Sequence, residues 1–252
     1  MTADLSGRLA LVTGASGKLG PVWVGALAEA SARVVGIDVS PAEVDGAESV
    51  EVADVTDRDS LLALRERLGA IPDVLVNNAG IDQPPSGDAG SLAIEDVPLD
   101  DFRRVLDVNL AGTFLATQVF GSAMRDAGRG SIVNIGSLYA TIAPDPAMYD
   151  HFGLEPPFLK PPAYGASKAG VVSLTRYFAR LWGPHGVRVN ALSPGGVLGG
   201  QDPEFLRKFT ARTPLRRLAE GADLAGPLLF LASDESSYVT GHELRVDGGF
   251  TA

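Results

Sequence analysis

The chain has 252 residues, of which 45% are hydrophobic, and its formal net charge is −10. This length suits one large domain or two small ones, and the hydrophobic content allows a sizeable core. The negative charge argues against nucleic-acid and anionic-membrane partners, and the absence of cysteine excludes disulfides and thiolate metal sites. With only three histidines, no metal is expected. The lack of a signal peptide or an apolar span favours a cytoplasmic protein.

A strand followed by a glycine turn opens the chain. The residues from Arg8 to Thr13 have the length of a buried strand, and the sequence Gly14-Ala-Ser-Gly17-Lys-Leu-Gly20 leads into an alanine-rich helix that reaches about Ala30. Glycines let backbone amides approach a pyrophosphate, and the N-terminus of a helix stabilises its negative charge. The stretch predicts a dinucleotide site, with an ordinary strand-to-helix turn as the alternative.

The second predicted strand ends in an acid. It runs from Arg33 to Ile37 and is followed by Asp38, about twenty residues after Gly20, which is the usual spacing of the group that binds the adenine ribose. A carboxylate there accepts hydrogen bonds from the ribose hydroxyls and repels a 2′-phosphate. The expected cofactor is therefore NAD rather than NADP.

Strands and helices alternate through the first half of the chain. Two more strands are predicted over 49–53 and 73–76, with a helix over 57–68 between them. This alternation is typical of an α/β fold with a doubly wound parallel sheet, in which ligands bind at the carboxyl ends of the strands. The residues that follow such ends are Gly14, Asp38, Asp54 and Asn77.

The middle of the chain is dominated by a long helix. It follows a polar loop over 82–98 and runs from about Asp100 to Ala127. Within it, Asn109 lies among apolar neighbours, so its amide must find buried hydrogen-bond partners. A fifth strand over 131–135 then leads to Ser137.

A proline-rich insert precedes the most informative helix. Residues 139–163 carry six prolines, which disfavour a regular helix or an internal strand, while their apolar side chains favour an ordered lid over the substrate end of the cleft. An oligomer contact is the alternative role. Tyr164 and Lys168 follow, one helical turn apart. A lysine ammonium beside a phenol favours the phenolate, so this tyrosine is a candidate acid/base.

The ordered motifs resemble those of the short-chain dehydrogenase/reductase family along essentially the whole chain. The matching motifs are the glycine turn, Asp54-Val55, NNAG at 77–80, Asn109, Ser137, YGASK at 164–168 and SPGGV at 193–197. The resemblance implies a single Rossmann-like domain of about seven strands and hydride transfer with a nicotinamide cofactor. No repeat or linker divides the chain, so one domain is expected.

The resemblance also implies roles for individual residues. Tyr164 would be the acid/base, Lys168 would lower its pKa and hold the nicotinamide ribose, Ser137 would bind the substrate oxygen, and Asn109 would hold a proton-relaying water. The residues implied for cofactor binding are Gly14, Ser16, Gly17, Lys18, Leu19, Gly20, Asp38, Asp54, Val55, Asn78, Ala79, Gly80, Tyr164, Lys168, Pro194, Gly195 and Val197.

The chain departs from the family pattern at three places. Lys18 stands where the family has the middle glycine of its turn, so it is either a phosphate contact or a solvated lysine. Gly199 replaces a frequent threonine that contacts the carboxamide. The insert adds about a dozen residues at the mouth of the active site, and its polar side chains suit a sugar, a sugar acid or a polyol. The predicted substrate-binding residues are Ser137, Tyr139, Tyr149, His151, Lys160 and Tyr164, with His151 ranked first among those of the insert.

Two other functions stay open from the sequence. An NADPH-linked reductase of ketones or 3-oxoacyl thioesters would share the fold, but Asp38 argues against NADPH. A non-catalytic nucleotide-binding regulator would be favoured by the loss of Tyr164 or Lys168, and both are present. Family resemblance further implies a homotetramer built on the Tyr164 helix, the Asn109 helix and the last strand, which is predicted near 243–246.

Overall fold

The computed structural model describes residues 3–82 and 92–252. Its centre is a parallel seven-stranded sheet in the order β3-β2-β1-β4-β5-β6-β7, which confirms the predicted doubly wound α/β fold. The chain changes direction across the sheet between β1 and β4, so a crevice forms at the carboxyl ends of these strands. The strands are β1 (Leu9–Thr13), β2 (Arg33–Asp38), β3 (Ser49–Val52), β4 (Val74–Asn77), β5 (Gly130–Ile135), β6 (Val187–Pro194) and β7 (Glu243–Val246).

Helices flank the sheet on both faces. In chain order they are α1 (Gly20–Glu29), α2 (Arg58–Leu68), α3 (Leu99–Leu106), α4 (Gly112–Ala116), α5 (Ser122–Ala127), α6 (Pro162–Trp182), α7 (Pro203–Arg212) and α8 (Gly221–Ala232). Among residues 3–82 and 92–252, none of them has the length and apolar character needed to cross a bilayer.

Successive side chains of β1 supply two separate cores. Ala10 and Val12 pack with α1 and α8, whereas Leu9 and Leu11 pack with α2 and α6 on the other face. Because both faces are covered, the central strands are apolar throughout and do not alternate with polar residues. The polar ends of these strands are therefore the places where chemistry can occur.

The long helix predicted over 100–127 is present over 99–127, with two π turns in it. The turns Asp107–Ala111 and Thr117–Gly121 join α3 to α4 and α4 to α5. A Cβ on Gly121 would lie 2.4 Å from the Trp182 ring, so this glycine lets the helix lie against α6. The first π turn holds Asn109, in keeping with the frequent occurrence of such turns at functional sites.

The insert folds into short 3₁₀ turns and packs on α7. It contains the turns Pro146–Met148 and Asp150–Phe152 and is free of α-helix and strand until α6 begins, as its prolines predict. Of the loop predicted over 82–98, residues 83–91 lie outside the described residues. The insert and α7 share a third apolar cluster, whose buried members are Leu138, Met148, Tyr149, Phe158, Phe205, Phe209 and Leu218.

Candidate active site

Ser137, Tyr164 and Lys168 lie together at the carboxyl end of β5. Ser137 caps the 3₁₀ turn Leu138–Ala140, while α6 carries Tyr164 and Lys168 one turn apart. The Ser137 side chain lies close enough to the Tyr164 phenol to lower its pKa, and its Oγ accepts a 3.2 Å hydrogen bond from the Tyr139 amide. The Lys168 ammonium lies 5.7 Å from the centre of the Tyr164 ring and donates a 2.7 Å hydrogen bond to the Ile135 carbonyl. The geometry can hold an alcohol or carbonyl oxygen between two hydroxyls.

Burial dominates the titration of both α6 residues. It raises the pKa of Tyr164 above its ordinary value of 10.0, the charge of Asp82 raises it further, and the neighbouring Ser137 side chain lowers it. Burial also lowers the pKa of Lys168 to about 8, against an opposing effect of Asp82. That Lys168 lowers the pKa of Tyr164 stays a prediction, since loss of hydration is the largest effect on this pKa in the present geometry.

Asn109 ties the loop after β4 to the catalytic helix. It is fully buried in its π turn. Its Oδ1 accepts a 2.8 Å hydrogen bond from the Ile81 amide, and its Nδ2 donates to the Ile81 carbonyl and to Ser167 Oγ, both at 3.1 Å. The buried partners expected from the sequence are therefore present. Since these bonds occupy the side-chain amide, the proton-relay role stays a prediction.

A groove of about 510 Å³ runs along the carboxyl ends of the central strands to Tyr164. Gly14 has a φ of +63°, and a Cβ there would lie 2.8 Å from Ala79 Cα, so the β1 turn requires glycine. The turn leaves the N-terminus of α1 open to an anion, and these residues fit a nicotinamide dinucleotide. Of the predicted cofactor residues, Gly20 alone is not part of the wall, which includes Gly14, Ser16, Gly17, Lys18, Leu19, Asp38, Asp54, Val55, Asn78, Ala79, Gly80, Tyr164, Lys168, Pro194, Gly195 and Val197.

The Asp38 carboxylate is fixed at the end of β2. Its Oδ2 accepts hydrogen bonds from the Ser16 amide at 3.0 Å and the Ser16 hydroxyl at 2.6 Å. Its Oδ1 accepts from the Val39 amide at 2.8 Å. A negative charge is thus held on the groove wall, directly beside the glycine turn.

Two other predicted cofactor residues use their side chains to hold the protein's own loops. Asn78 Oδ1 accepts a 2.7 Å hydrogen bond from the Trp23 indole, and its Nδ2 donates to the Gly14 carbonyl at 2.9 Å. Asp54 Oδ1 accepts from the Thr56 amide and hydroxyl, both at 2.8 Å. These bonds give the groove a rigid wall.

A chamber of about 150 Å³ adjoins the groove at Ser137 and Tyr164. The insert supplies Tyr139, Tyr149 and Lys160 to its wall. The two insert tyrosines are joined by a hydrogen bond of 3.3 Å between their hydroxyls, and burial raises the pKa of both. The other lining residues are Lys18, Leu19, Asp82, Leu138, Gly195, Gly196, Val197, Gln201, Phe205 and Phe209.

His151 is not among the residues that line this chamber. Its Nε2 lies 2.8 Å from Oδ1 of Asp202, the N-cap residue of α7, and its Nδ1 lies 3.3 Å from the Lys208 ammonium. The structure therefore corrects the ranking made from the sequence: His151 connects the insert to α7, and the insert residues at the chamber include Tyr149 and Lys160. Its partner is 51 positions away, which no local pattern could indicate.

Comparison with known proteins assigns the family. A model of short-chain dehydrogenases, described as enoyl-(acyl carrier protein) reductase, matches residues 18–251. The chain belongs to the short-chain dehydrogenase/reductase family. Galactitol 2-dehydrogenase from Rhizobium johnstonii is 37% identical over 98% of this chain and 96% of the relative.

Solved structures of short-chain dehydrogenases share the whole fold. One from Leptospira borgpetersenii with bound NAD+ superposes with a TM-score of 0.87 at 35% identity, covering 100% of this chain and 95% of that one. A candidate NAD(P)-dependent gluconate 5-dehydrogenase from Beutenbergia cavernae with bound NADP gives a TM-score of 0.83 at 36% identity, covering 100% and 99%.

Two departures from the short-chain dehydrogenase pattern are physically connected. The Lys18 ammonium donates a hydrogen bond of 3.4 Å to the Gly199 carbonyl. A Cβ on Gly199 would lie 2.4 Å from Lys18 Cε, so the lysine side chain occupies the space that a threonine would need. The sequence shows the two replacements as separate facts, whereas the structure places one against the other.

Sequence reasoning missed several residues of this short-chain dehydrogenase chamber. Asp82 lines both groove and chamber, and the available signal was an acid just past the carboxyl end of β4. Phe205 and Phe209 are buried in the wall, and their spacing of one helical turn marks an apolar face of α7.

Proposed function

We propose that this short-chain dehydrogenase uses NAD to interconvert a secondary alcohol and a ketone in a sugar, sugar acid or polyol. The observation that carries the proposal is that Ser137 and Tyr164 both line the groove and the chamber where these meet, with the Lys168 ammonium 5.7 Å from the centre of the tyrosine ring. At this junction a substrate oxygen can meet the proton-transferring hydroxyl while its carbon faces the groove.

Each residue has a defined task in that reaction. Ser137 hydrogen-bonds the substrate oxygen and orients it toward Tyr164, which exchanges the alcohol proton. Lys168, whose pKa is about 8, carries a positive charge at neutral pH and favours the phenolate needed for oxidation. The nicotinamide, when bound, supplies the hydride acceptor or donor. In the reductive direction the high pKa of Tyr164 keeps the phenol protonated and ready to donate.

The cofactor preference rests on Asp38. Its carboxylate lies on the groove wall with Ser16 as donor, in a position to accept from ribose hydroxyls and to repel a 2′-phosphate. Lys18 also lines the groove, and we propose that it contacts the cofactor phosphates. The Leptospira relative contains NAD+, which agrees with this preference.

The substrate class rests on the chamber. Its wall combines hydroxyls, a carboxylate and two ammonium groups with several apolar side chains, a mixture that suits a polyhydroxylated molecule better than an acyl chain. The similarity to a galactitol 2-dehydrogenase supports a sugar alcohol. The test is NADH formation with a panel of sugars, polyols and hydroxy acids. Oxidation of simple hydrophobic alcohols alone would contradict the proposed class.

An NADPH-linked reductase of ketones or 3-oxoacyl thioesters is the second candidate. It is favoured by the description of the matching family model and by the NADP in the Beutenbergia structure. Purified protein incubated with NADPH and an acetoacetyl thioester distinguishes the two, because only the reductase should consume NADPH faster than NADH. A non-catalytic role is disfavoured by the intact catalytic residues.

We also propose a homotetramer in the cytoplasm. A shallow apolar surface lies between the long helix and α6, and it includes Leu110, Phe114 and Leu174. Tyr177 and Leu181 extend it, with exposed fractions of 62% and 49%. In a symmetric assembly this apolar surface would be covered by the same surface of a second copy of the chain. Light scattering at micromolar concentration tests the assembly, and a monomeric mass would refute it.

A further inference from the structure

The insert brings a second lysine to the catalytic tyrosine. The Lys160 ammonium lies 5.3 Å from the centre of the Tyr164 ring and 5.8 Å from that of Tyr139. Its side chain is 5% exposed, yet it lines the chamber rather than the cofactor groove. Lys168, in contrast, lines the cofactor groove and donates a hydrogen bond to a backbone carbonyl. The two lysines therefore serve different sides of Tyr164.

Lys160 is paired with Asp82 across the chamber mouth. The Lys160 ammonium is 2.7 Å from Asp82 Oδ2. Asp82 follows Ile81, whose backbone is held by Asn109, so the carboxylate sits on an anchored segment. Burial lowers the pKa of Lys160, the neighbouring Asp82 opposes this effect, and the charge of Lys18, which lines the same chamber, lowers this pKa further. The Lys160–Asp82 pair presents hydrogen-bond donors and acceptors side by side.

The position of the pair relative to the reacting oxygen determines what it can bind. The substrate oxygen must lie within about 3 Å of the Tyr164 and Ser137 hydroxyls. Lys160 lies over the same tyrosine ring, so the substituent on the next carbon of the substrate comes within its reach. A hydroxyl there can accept a hydrogen bond from the ammonium and donate one to the carboxylate. A carboxylate there would meet Asp82 as a like charge.

We propose that the Lys160–Asp82 pair recognises the hydroxyl next to the reacting carbinol and makes this enzyme selective for vicinal diols. This inference rests on the proposed alcohol dehydrogenase function and narrows its substrate class. The reacting carbinol loses its hydride to NAD+ and its hydroxyl proton to Tyr164, and the product is an α-hydroxyketone. The neighbouring hydroxyl is bound and remains unchanged.

The test compares three four-carbon alcohols that share a secondary carbinol. Butane-2,3-diol carries a hydroxyl on the next carbon, butan-2-ol lacks it, and 2-hydroxybutyrate carries no second hydroxyl but has a carboxylate bonded to the reacting carbon. The kcat/KM for NADH formation is measured for each, using the unmodified protein and the variants Lys160→Met, Lys160→Arg and Asp82→Asn. Thermal unfolding and the dissociation constant of NADH show whether each variant remains folded and binds cofactor.

The unmodified protein should prefer the diol over butan-2-ol. Lys160→Met should lower kcat/KM for the diol by roughly 10- to 100-fold, because a site built to bind a hydroxyl loses its donor, and this loss should exceed the loss for butan-2-ol. Lys160→Arg should retain part of the preference for the diol. Asp82→Asn should lower kcat/KM for the diol, because it removes the charged acceptor.

Other outcomes separate the ways in which the inference can fail. An equal loss for all three alcohols would make Lys160 a positioning residue for Tyr164 and overturn diol recognition. A selective loss of 2-hydroxybutyrate in Lys160→Met would make it a carboxylate site and also overturn it. If none of the variants changes kcat/KM for any of the alcohols, the pair has only a structural role and the inference is wrong. If no alcohol in the wider panel reduces NAD+ while NADH still binds, the proposed function itself fails.

Discussion

The cofactor preference can be tested by removing one charge without changing shape. Asp38→Asn keeps an oxygen that can accept from the Ser16 amide and hydroxyl, which lie 3.0 and 2.6 Å from the carboxylate. In the unmodified protein a 2′-phosphate would sit near this carboxylate. Two like charges about 5 Å apart in a partly screened groove repel by roughly 2–3 kcal/mol, which corresponds to a factor of about 100 in affinity.

Fluorescence titration with NADH and NADPH measures this factor without any substrate. We expect the unmodified protein to bind NADH on the order of 100-fold more tightly, and Asp38→Asn to reduce that ratio to about tenfold or less. Ser16→Ala is the matched control, because it removes a hydrogen bond to Asp38 but leaves the charge, so the ratio should stay within about threefold. A ratio near one in the unmodified protein, or one that Asp38→Asn leaves unchanged, would refute the reasoning.

Three further predictions concern the catalytic helix and the glycine turn. Tyr164→Phe should lower kcat by roughly 10²–10⁴-fold with little change in NADH affinity, and a variant that keeps more than about a tenth of kcat would contradict its role. Burial lowers the pKa of Lys168 from 10.5 to about 8, so the unfolded chain binds more protons between these pH values. The free energy of unfolding, measured in urea, should therefore rise between these pH values by at most about 1.4 kcal/mol per pH unit more than that of Lys168→Met. If the two proteins show the same pH dependence of stability, the prediction is wrong. Gly199→Thr should weaken NADH binding in the unmodified protein more than it does in a Lys18→Gly variant. If the effect is the same in both proteins, the two residues are not energetically coupled.

The sheet and the catalytic residues could be predicted because their signals are local. The buried strand β1 and its glycine turn are contiguous in sequence, and Tyr164 and Lys168 are one helical turn apart. Polar residues after strand ends meet because parallel strands share a carboxyl edge. The same rule would have identified Asp82, which follows β4, had it been applied to the residues after the glycine at position 80.

The environment of Tyr164 could not be predicted from spacing. A lysine four positions away indicates a nearby charge, but it does not give the depth of burial or the direction of the ammonium. In the structure Lys168 donates to the Ile135 carbonyl, and loss of hydration is the largest effect on the pKa of Tyr164. The π turn around Asn109 was equally hidden, since its α-helical neighbours continue the same apolar periodicity on both sides.

The insert shows why substrate residues are the least predictable part of the chain. Its ends are fixed by Ser137 and Tyr164, but its interior is placed by pairing with α7, through His151 with Asp202, Lys208 with Asp150, and Arg212 with Asp145. These pairs join segments that are far apart in sequence, so a polar side chain in the insert was as well suited to binding α7 as to binding substrate.

This pairing also constrains how the chamber can vary. Tyr149 from the insert stacks on Phe205 of α7 with 5.8 Å between ring centres, and Phe205 in turn packs against Phe209. All three side chains are buried and line the chamber. Because protein interiors are close-packed, a change of side-chain volume in the insert requires a compensating change in α7, and the reverse also holds. The insert and α7 therefore act as one unit, and substrate range should change through paired substitutions across it rather than through single ones.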